Sequence, residues 1–243
     1  ANLDRIKKIA SIIKKETKKY RIVTVLSAMA GVTNNLQNYI DEIVANNSSD
    51  SDLILTSGEQ VSVGLLSIFL NKMNIKSTSL LGWQIPIITD CTYGKAKILK
   101  IENKSLLNNL KNFKVVVVAG FQGISIEGKI SSLGRGGSDT TAVALASSLK
   151  AERCDIYTDV EGVYSTDPNV DNNAKKIDKI AYEEMLEIAS MGAKVLQTRS
   201  VELAMKSNLP LQVLSSITNA PGTMIVNEED LIEKEIVSGV SYS

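Results

Sequence analysis

Long apolar runs rich in β-branched residues recur along the chain, and the clearest is KVVVVAG at residues 114–120. Four consecutive valines closed by Ala-Gly predict a strand that is buried on both faces. The run RIVTVL at residues 21–26 predicts a second buried strand. Near-continuous apolar strands are typical of parallel sheets covered on both sides, so the pattern indicates a mostly parallel sheet.

Apolar residues at helical spacing separate these strands and predict amphipathic helices. The predicted helices span residues 3–20, 34–44, 52–73, 104–112, 140–151, 182–189 and 193–207. Further strands are predicted at residues 76–81, 85–89, 98–101, 154–158, 210–214 and 222–226. Strands that alternate with helices indicate an α/β fold. We expect a three-layer α-β-α sandwich with a mostly parallel central sheet.

Composition narrows the possible functions. The formal net charge of the 243 residues is zero, which disfavours a protein that binds nucleic acid through its phosphates. The apolar stretch 53–70 is interrupted by Ser57, Gly58, Glu59 and Gln60, so we expect no membrane span, which needs roughly 18 apolar residues. Two cysteines do not make a disulfide framework, and they suit a reducing cytoplasm.

The chain contains no histidine. This absence excludes Ser-His-Asp hydrolysis, histidine general bases and histidine-containing metal sites. Any chemistry carried out here must proceed without imidazole.

Glycine and small hydroxyl residues follow three of the predicted strands, at residues 27–34, 120–123 and 159–168. In open α/β sheets, ligands bind beyond the carboxyl ends of the strands. Three such loops at one sheet edge predict a polar cleft rich in backbone N–H groups, which suits phosphates.

The most distinctive segment is LGRGGSDTT at residues 133–141, which runs directly into a predicted helix. Its glycines allow close approach of the backbone to an anion at the helix N-terminus. Ser138 or Asp139 is a natural N-cap, and Arg135 adds a planar fork that matches a carboxylate or phosphate. A plain glycine-rich turn is the alternative, although it needs no arginine. The segment is neither a Walker A loop nor a dinucleotide-binding fingerprint.

Several separated motifs, in a fixed order, resemble those of the aspartokinases of the amino-acid kinase family. They are LSAMAGVTN (26–34), SGEQ (57–60), GFQG (120–123), LGRGGSDTTA (133–142), IYTDVEGVYSTDP (156–168), YEEM (182–185) and GAKVL (192–196). Each motif alone is weak, but their joint occurrence over nearly the whole chain is specific. The resemblance implies ATP-dependent phosphorylation of the β-carboxylate of L-aspartate, at the start of lysine, threonine, methionine and diaminopimelate synthesis.

The resemblance also implies roles for individual residues. Arg135 is expected to hold the α-carboxylate of aspartate, and Glu59 its α-ammonium. Thr33, Gly136, Gly137 and Ser138 are the further substrate-binding candidates. Ser138 and Asp139 are the candidate catalytic residues, with Asp139 orienting cations or a metal-bound water. On the residues alone, Glu59 also fits an exposed helix carboxylate.

The implied nucleotide pocket lies mostly in the second half of the chain. Its candidate residues are Ser27, Thr158, Asp159, Tyr164, Asp167, Lys194 and Val195. Tyr164 also fits a plain core aromatic. ATP chemistry implies Mg²⁺, for which the sequence identifies no protein ligand. The aspartate carboxylate, with an ordinary pKa of about 3.9, is already ionised at neutral pH and needs no general base. A homodimer is also implied.

The chain departs from the family pattern at three places. It begins at Ala1, where it resembles the residues after the family's Lys-Phe-Gly-Gly-Thr-Ser loop, so we expect the polypeptide as written to be nearly inactive. Residues 227–243 resemble the start of C-terminal regulatory domains. Asn169 stands where the family usually has arginine. We expect one kinase domain, with an amino-acid lobe at about 1–125 and a nucleotide lobe at about 126–226.

Two other functions remain open. The first is a different amino-acid kinase, acting on acetylglutamate or glutamate. The second is a noncatalytic subunit that binds ATP or aspartate.

Overall fold

The computed structural model describes residues 3–43, 47–168, 170–171, 173–191 and 195–231. The chain divides into two compact units, Ala1–Leu145 and Ala146–Ser243. Each unit combines helices with parallel strand pairs, so the predicted α/β class is confirmed. The predicted lobes of one kinase domain stay a prediction.

The first unit contains six helices among its described residues. They are α1 (Leu3–Glu16), α2 (Val32–Asp41), α3 (Ser49–Leu55), α4 (Ser57–Lys72), α5 (Lys104–Asn112) and α6 (Gly137–Leu149), whose last turn belongs to the second unit. The strands are β1 (Ile22–Leu26), β2 (Ser77–Leu80), β3 (Ile87–Thr89), β4 (Ile98–Ile101), β5 (Val115–Ala119), β6 (Gln122–Ser125) and β7 (Ile130–Ser132).

A parallel sheet with strand order β1-β5-β2 forms the centre of this unit. All residues of β5 are buried, which confirms the valine run as an internal strand. Leu26 lies opposite Ala119, so the loops that follow β1 and β5 leave the same edge of the sheet. Alternate residues of β5 pack against Ile6 of α1 and Leu66 of α4.

A second sheet has strand order β4-β3-β6-β7. Its antiparallel pair β6 and β7 was not predicted, because each strand has only three or four residues and several of them are polar. Pairing of Gln122 with Ser132 closes this hairpin at one end. The hairpin therefore connects the loop after β5 to the glycine-rich segment that precedes α6.

The prediction of one helix over residues 52–73 is wrong, because Thr56 separates α3 from α4. The buried Gln122 side chain donates from Nε2 to the Thr56 carbonyl oxygen (3.1 Å). Together, Ser49–Lys72 are long and apolar enough to cross a membrane, yet half of an apolar 18-residue stretch within them is buried inside the protein. That burial is typical of core helices.

The second unit is built around a four-stranded sheet with order β8-β10-β11-β9. Its described elements are β8 (Cys154–Thr158), β9 (Lys179–Ala181), α7 (Tyr182–Ser190), α8 (Thr198–Lys206), β10 (Leu211–Ser215), β11 (Thr223–Val226) and a short 3-10 helix (Glu228–Asp230). β8 and β10 are parallel, with Thr158 opposite Ser215 at their carboxyl ends. β9 was not predicted, and α8 starts five residues later than predicted: 198 against 193.

Candidate active site

The loop after β1 packs against the first turn of α4. The Ala28 N–H donates to Glu59 Oε1 (2.9 Å). A Cβ at Gly58 would lie 2.8 Å from the Cβ of Ala28, so only glycine permits this approach. Gly31 adopts φ +80° and leads into α2, where Thr33 is partly buried in the first turn. Ser27 is exposed at the end of β1.

Glu59 is buried, with 2% of its surface exposed. Its Oε1 accepts the Ala28 hydrogen bond, whereas its Oε2 has no hydrogen-bond partner among the described residues. Burial raises the pKa of Glu59 from its ordinary 4.5 to about 7. Buried polar atoms in native proteins are nearly always paired, so the unpaired Oε2 makes Glu59 a candidate contact for a cationic ligand.

Ser62, one turn along α4 from Glu59, is also buried, and its hydroxyl has no partner among the described residues. Residues three apart on a helix share one face. The sequence analysis did not select Ser62, because a serine in an apolar helix gives no signal of whether its hydroxyl is satisfied.

The glycine-rich segment before α6 turns on two residues in the left-handed region, Gly134 (φ +75°) and Gly136 (φ +67°). A Cβ at Gly134 would lie 2.9 Å from the Gly94 carbonyl oxygen, so this turn also depends on the absence of a side chain. Arg135 lies between the two glycines and is exposed. Its guanidinium is therefore accessible to a ligand.

α6 begins at Gly137, and the first helical hydrogen bond runs from Thr140 N to the Gly136 carbonyl oxygen (3.0 Å). Gly136 therefore occupies the N-cap position, and the predicted capping by Ser138 or Asp139 is wrong. Both residues lie inside the first turn instead. Asp139 is partly buried, and burial raises its pKa from 3.8 to about 6.

The start of α6 lies directly beside the loop after β5. A Cβ at Gly120 would lie 2.7 Å from Ser138 Oγ. The Phe121 N–H donates to Thr141 Oγ1 (3.2 Å). Because β1 and β5 end at the same edge, the first unit gathers Ser27, Glu59 and Ser138 around the carboxyl ends of its parallel sheet.

In the second unit, two nucleotide candidates follow β8 directly. The Thr158 hydroxyl donates to Asp159 Oδ1 (3.2 Å). The Thr158 carbonyl oxygen accepts from Ser216 N (2.7 Å), which joins the loops after β8 and β10. Ser215 Oγ accepts from the backbone of the second loop, at Ile217 N (3.1 Å). The loop after β10 was not predicted as part of the site.

Tyr164 lies in the long connection between β8 and β9. Its backbone pairs with Lys176, and its hydroxyl lies 3.5 Å from Glu161 Oε2. The ring is partly buried, so it is not a fully enclosed core aromatic. Thr223 Oγ1 accepts from Val163 N (2.8 Å) and anchors this connection to β11.

The remaining nucleotide candidates are separated along the chain. Asp167 is exposed, and its carbonyl oxygen accepts from Val170 N (2.9 Å) in a turn. Val195 is partly buried just before α8. Lys194 and Asn169 lie outside the described residues, as do residues 232–243 at the predicted start of a regulatory region.

The described residues contain no group of three or more His, Cys, Asp or Glu side chains that could hold a metal ion. A site for Mg²⁺ built only from protein groups is therefore not found in this part of the chain. Mg²⁺ usually keeps several waters and binds one or two carboxylates together with substrate phosphates. Asp139 or Asp159 fits that limited role.

Comparisons with known proteins give a consistent result. The sequence model of the amino acid kinase family matches residues 1–215. The chain is 47% identical over 251 residues to an aspartate kinase of Pseudomonas fluorescens, an alignment that covers 100% of this chain and 60% of that protein. The chain thus spans about 60% of the length of these curated relatives.

Two solved structures are similar over nearly the whole chain. Aspartokinase III of E. coli, in complex with aspartate and ADP, has a TM-score of 0.84 at 28% identity and covers 97% of this chain and 63% of that chain. The aspartate kinase of Synechocystis also has a TM-score of 0.84, at 41% identity, and covers 97% of this chain and 39% of that chain.

Proposed function

Because this chain belongs to the amino acid kinase family, we propose that it transfers the γ-phosphoryl group of ATP to the β-carboxylate of L-aspartate. The products are 4-phospho-L-aspartate and ADP. The identity to proteins named aspartate kinase supports this choice within the family. So does the E. coli relative, which is described as a complex with aspartate and ADP. The reaction is the first step toward lysine, threonine, methionine and diaminopimelate.

The observation that carries the proposal is the unpaired Oε2 of Glu59. This atom is buried beside the sheet edge at which the loops after β1 and β5 leave, and no described residue donates a hydrogen bond to it. A substrate α-ammonium supplies both a charge and hydrogen-bond donors. Its arrival favours the ionised form of a carboxyl whose pKa burial has raised to about 7. Glu59 thus selects a free amino group.

Arg135 completes the recognition of a zwitterion. Its exposed side chain is held by a turn of left-handed glycines, and its planar guanidinium binds a carboxylate through two parallel hydrogen bonds. We assign Gly136, Gly137 and Thr33 to the substrate as well, on the family resemblance. An acetylated amino group lacks the charge that Glu59 requires, so acetylglutamate is a poor ligand in this assignment.

The chemical step needs no proton transfer. An oxygen of the ionised β-carboxylate forms the new bond to the γ-phosphorus as the bond to the β–γ bridging oxygen breaks, and ADP leaves with that electron pair. Catalysis then rests on alignment and on stabilising charge at the transferring group. Ser138 and the N–H groups of the first turn of α6 donate toward that charge, and Asp139 orients cations there.

We assign ATP to the residues around the ends of β8 and β10 in the second unit, and the assignment of Ser27 of the first unit to the nucleotide rests on the family resemblance alone. Thr158, Asp159 and Ser216 present hydroxyl and carboxylate groups, and Tyr164 supplies an aromatic surface for adenine. Asp167, Lys194 and Val195 complete the assignment. Mg²⁺ would supply positive charge to the ATP phosphates, and Asp139 or Asp159 would be the protein group that holds it.

Binding is the direct test on this chain, because it spans about 60% of the length of its relatives. Calorimetry is expected to show saturable binding of L-aspartate and of ADP, with much weaker binding of glutamate and none of acetylglutamate. Arg135→Ala is expected to weaken aspartate binding about 30-fold or more and to leave ADP binding unchanged. Arg153→Ala, in the second unit, serves as the arginine control.

Two results separate the alternatives. Preference for acetylglutamate or glutamate would identify a different amino-acid kinase. Binding without turnover would indicate a noncatalytic subunit. Turnover is read as aspartate-dependent ADP release, with the acyl phosphate trapped by hydroxylamine.

We also propose a cytoplasmic homodimer. Cys91 and Cys154 are not joined in a disulfide, which suits a reducing compartment. Exposed apolar side chains on α3 and α4, at Leu53 (50%), Val61 (51%) and Ile68 (67%), favour burial against a second copy. Light scattering tests the mass, and Ile68→Glu is expected to shift it toward the monomer.

A further inference from the structure

A second buried carboxylate, Asp52 of α3, has no part in the chemistry assigned above. It is 0% exposed. Its Oδ2 accepts from Ser132 N (2.7 Å), and its Oδ1 accepts from Ser132 Oγ (2.7 Å). The Gly94 N–H lies 3.1 Å from each oxygen. Backbone and hydroxyl donors from two distant segments therefore converge on this one side chain.

Both segments that Asp52 binds support the glycine-rich turn. Ser132 is the last residue of β7, two positions before Gly134. Gly94 carries the carbonyl oxygen against which Gly134 packs at its left-handed φ. The two segments also bond to each other, from Ala96 N to the Ser132 carbonyl oxygen (2.9 Å). Asp52 thus fixes both the start of the turn and the surface on which it rests.

The convergence of donors explains the residue type. An ionised carboxylate offers acceptor sites only, and charge-assisted hydrogen bonds are shorter and stronger than neutral ones. Asparagine has the same shape but replaces one acceptor oxygen with an NH₂ group. That group would face at least one N–H donor of the same pair of segments. The position of the glycine-rich turn would then be less well fixed, even if the protein still folded.

We propose that Asp52 is a positioning residue, which holds the base of the segment 133–139 so that Arg135 and Ser138 meet the substrate in a fixed geometry. This inference rests on the proposed function for its ligand. Asp52 itself does not touch the substrate in this proposal. The alternative is that Asp52 only stabilises the first unit and has no effect on how the substrate is bound.

Asp52→Asn and Asp50→Asn form a matched pair on one helix, because Asp50 is exposed whereas Asp52 is buried. We expect Asp52→Asn to weaken aspartate binding roughly tenfold or more, since small displacements of binding groups have large effects. ADP binding, assigned to the second unit, is expected to stay within twofold of the wild type. Asp50→Asn is expected to change neither. A purely stabilising role of Asp52 predicts a lower melting temperature with unchanged aspartate affinity in Asp52→Asn, and that result overturns the inference.

Amide hydrogen exchange gives a measurement that does not depend on the ligand. Faster exchange confined to residues 133–139 and 90–96 in Asp52→Asn supports positioning even if the wild type binds no aspartate, in which case only the proposed function fails. Unchanged exchange there overturns the inference while the proposed function stands. If Asp52→Asn does not fold, Ser132→Ala removes one of the four contacts and is expected to weaken aspartate binding about threefold. Wild-type affinity and exchange in Ser132→Ala would also overturn it.

Discussion

Two consecutive helices of the first unit each bury one carboxylate, and the two groups are treated in opposite ways. Asp52 of α3 receives hydrogen bonds on both oxygens from Gly94 and Ser132. Glu59 of α4 receives one on Oε1 from the Ala28 N–H, and its Oε2 is left without a partner among the described residues. The hydrogen bonds of Asp52 are complete within the first unit, whereas Glu59 keeps one oxygen that a ligand can pair.

The largest effect that tests this comparison is on stability at the satisfied site. Asp52→Ala leaves two N–H groups and one hydroxyl buried without their acceptor. We expect it to lower the free energy of unfolding by about 4 kcal/mol, because each stranded donor costs about 1–3 kcal/mol. Urea unfolding measures this loss. Asp50→Ala is the control, and a loss below about 1 kcal/mol for Asp52→Ala would show that the contacts contribute little.

The unsatisfied site makes stability depend on pH. The pKa of Glu59 rises from 4.5 in the unfolded chain to about 7 in the folded protein, because burial penalises its charged form. The folded protein therefore holds this proton more tightly, and the associated stability is present below pH 4.5 and lost as the pH rises through about 7. The difference between the two pKa values corresponds to about 3 kcal/mol of unfolding free energy.

Glu59→Gln cannot titrate, so it isolates this contribution from Asp139 and other groups. We expect the difference in unfolding free energy between Glu59→Gln and the wild type to shift toward the variant by about 3 kcal/mol from pH 4.5 to pH 8. Chemical unfolding across that range gives the measurement. A difference that is constant with pH would mean that Glu59 is solvated in the folded protein.

Ligand binding is the next effect in size. Glu59→Gln removes the negative charge that we assign to the substrate ammonium, and we expect aspartate binding to weaken about 100-fold. In the wild type, affinity is expected to fall as the pH drops below about 7, because a proton must leave Glu59 first. The variant is expected to lose that dependence. Equal pH profiles in the two proteins would remove Glu59 from ammonium recognition.

The same comparison shows what could be predicted from the sequence. Strong periodic runs predicted the elements well: the valine strand and α5 are found where the pattern puts them. The motifs selected Glu59 and Arg135 as candidates, because polar residues beside glycines interrupt apolar patterns. Asp50 and Asp52, however, are equivalent in sequence. Only the tertiary pairing of α3 with β7 buries one of them and exposes the other.

The missed strands have a related cause. β6, β7 and β9 have three or four residues each and are held by pairing with distant strands rather than by local propensity. The break at Thr56 likewise depends on a side chain from Gln122, far away in the chain. Capping by Ser138 or Asp139 was predicted from residue type alone. The left-handed turn at Gly136 instead lets the helix start at Gly137, before both residues.

Two serines extend the comparison to neutral groups and give the smallest expected effect. Ser132 Oγ donates to Asp52 Oδ1 (2.7 Å), whereas the buried Ser62 hydroxyl has no partner among the described residues. Ser132→Ala is expected to lower the unfolding free energy by about 1–2 kcal/mol, since it removes a hydrogen bond to a charged group. Ser62→Ala removes an unsatisfied buried hydroxyl at little change in volume, so we expect a change within about 0.5 kcal/mol or a slight gain. Thermal unfolding of the two single variants provides the measurement. A loss of unfolding free energy in Ser62→Ala as large as that in Ser132→Ala would mean that a bound water satisfies the Ser62 hydroxyl. The face of α4 that carries Glu59 would then be hydrated before the substrate binds.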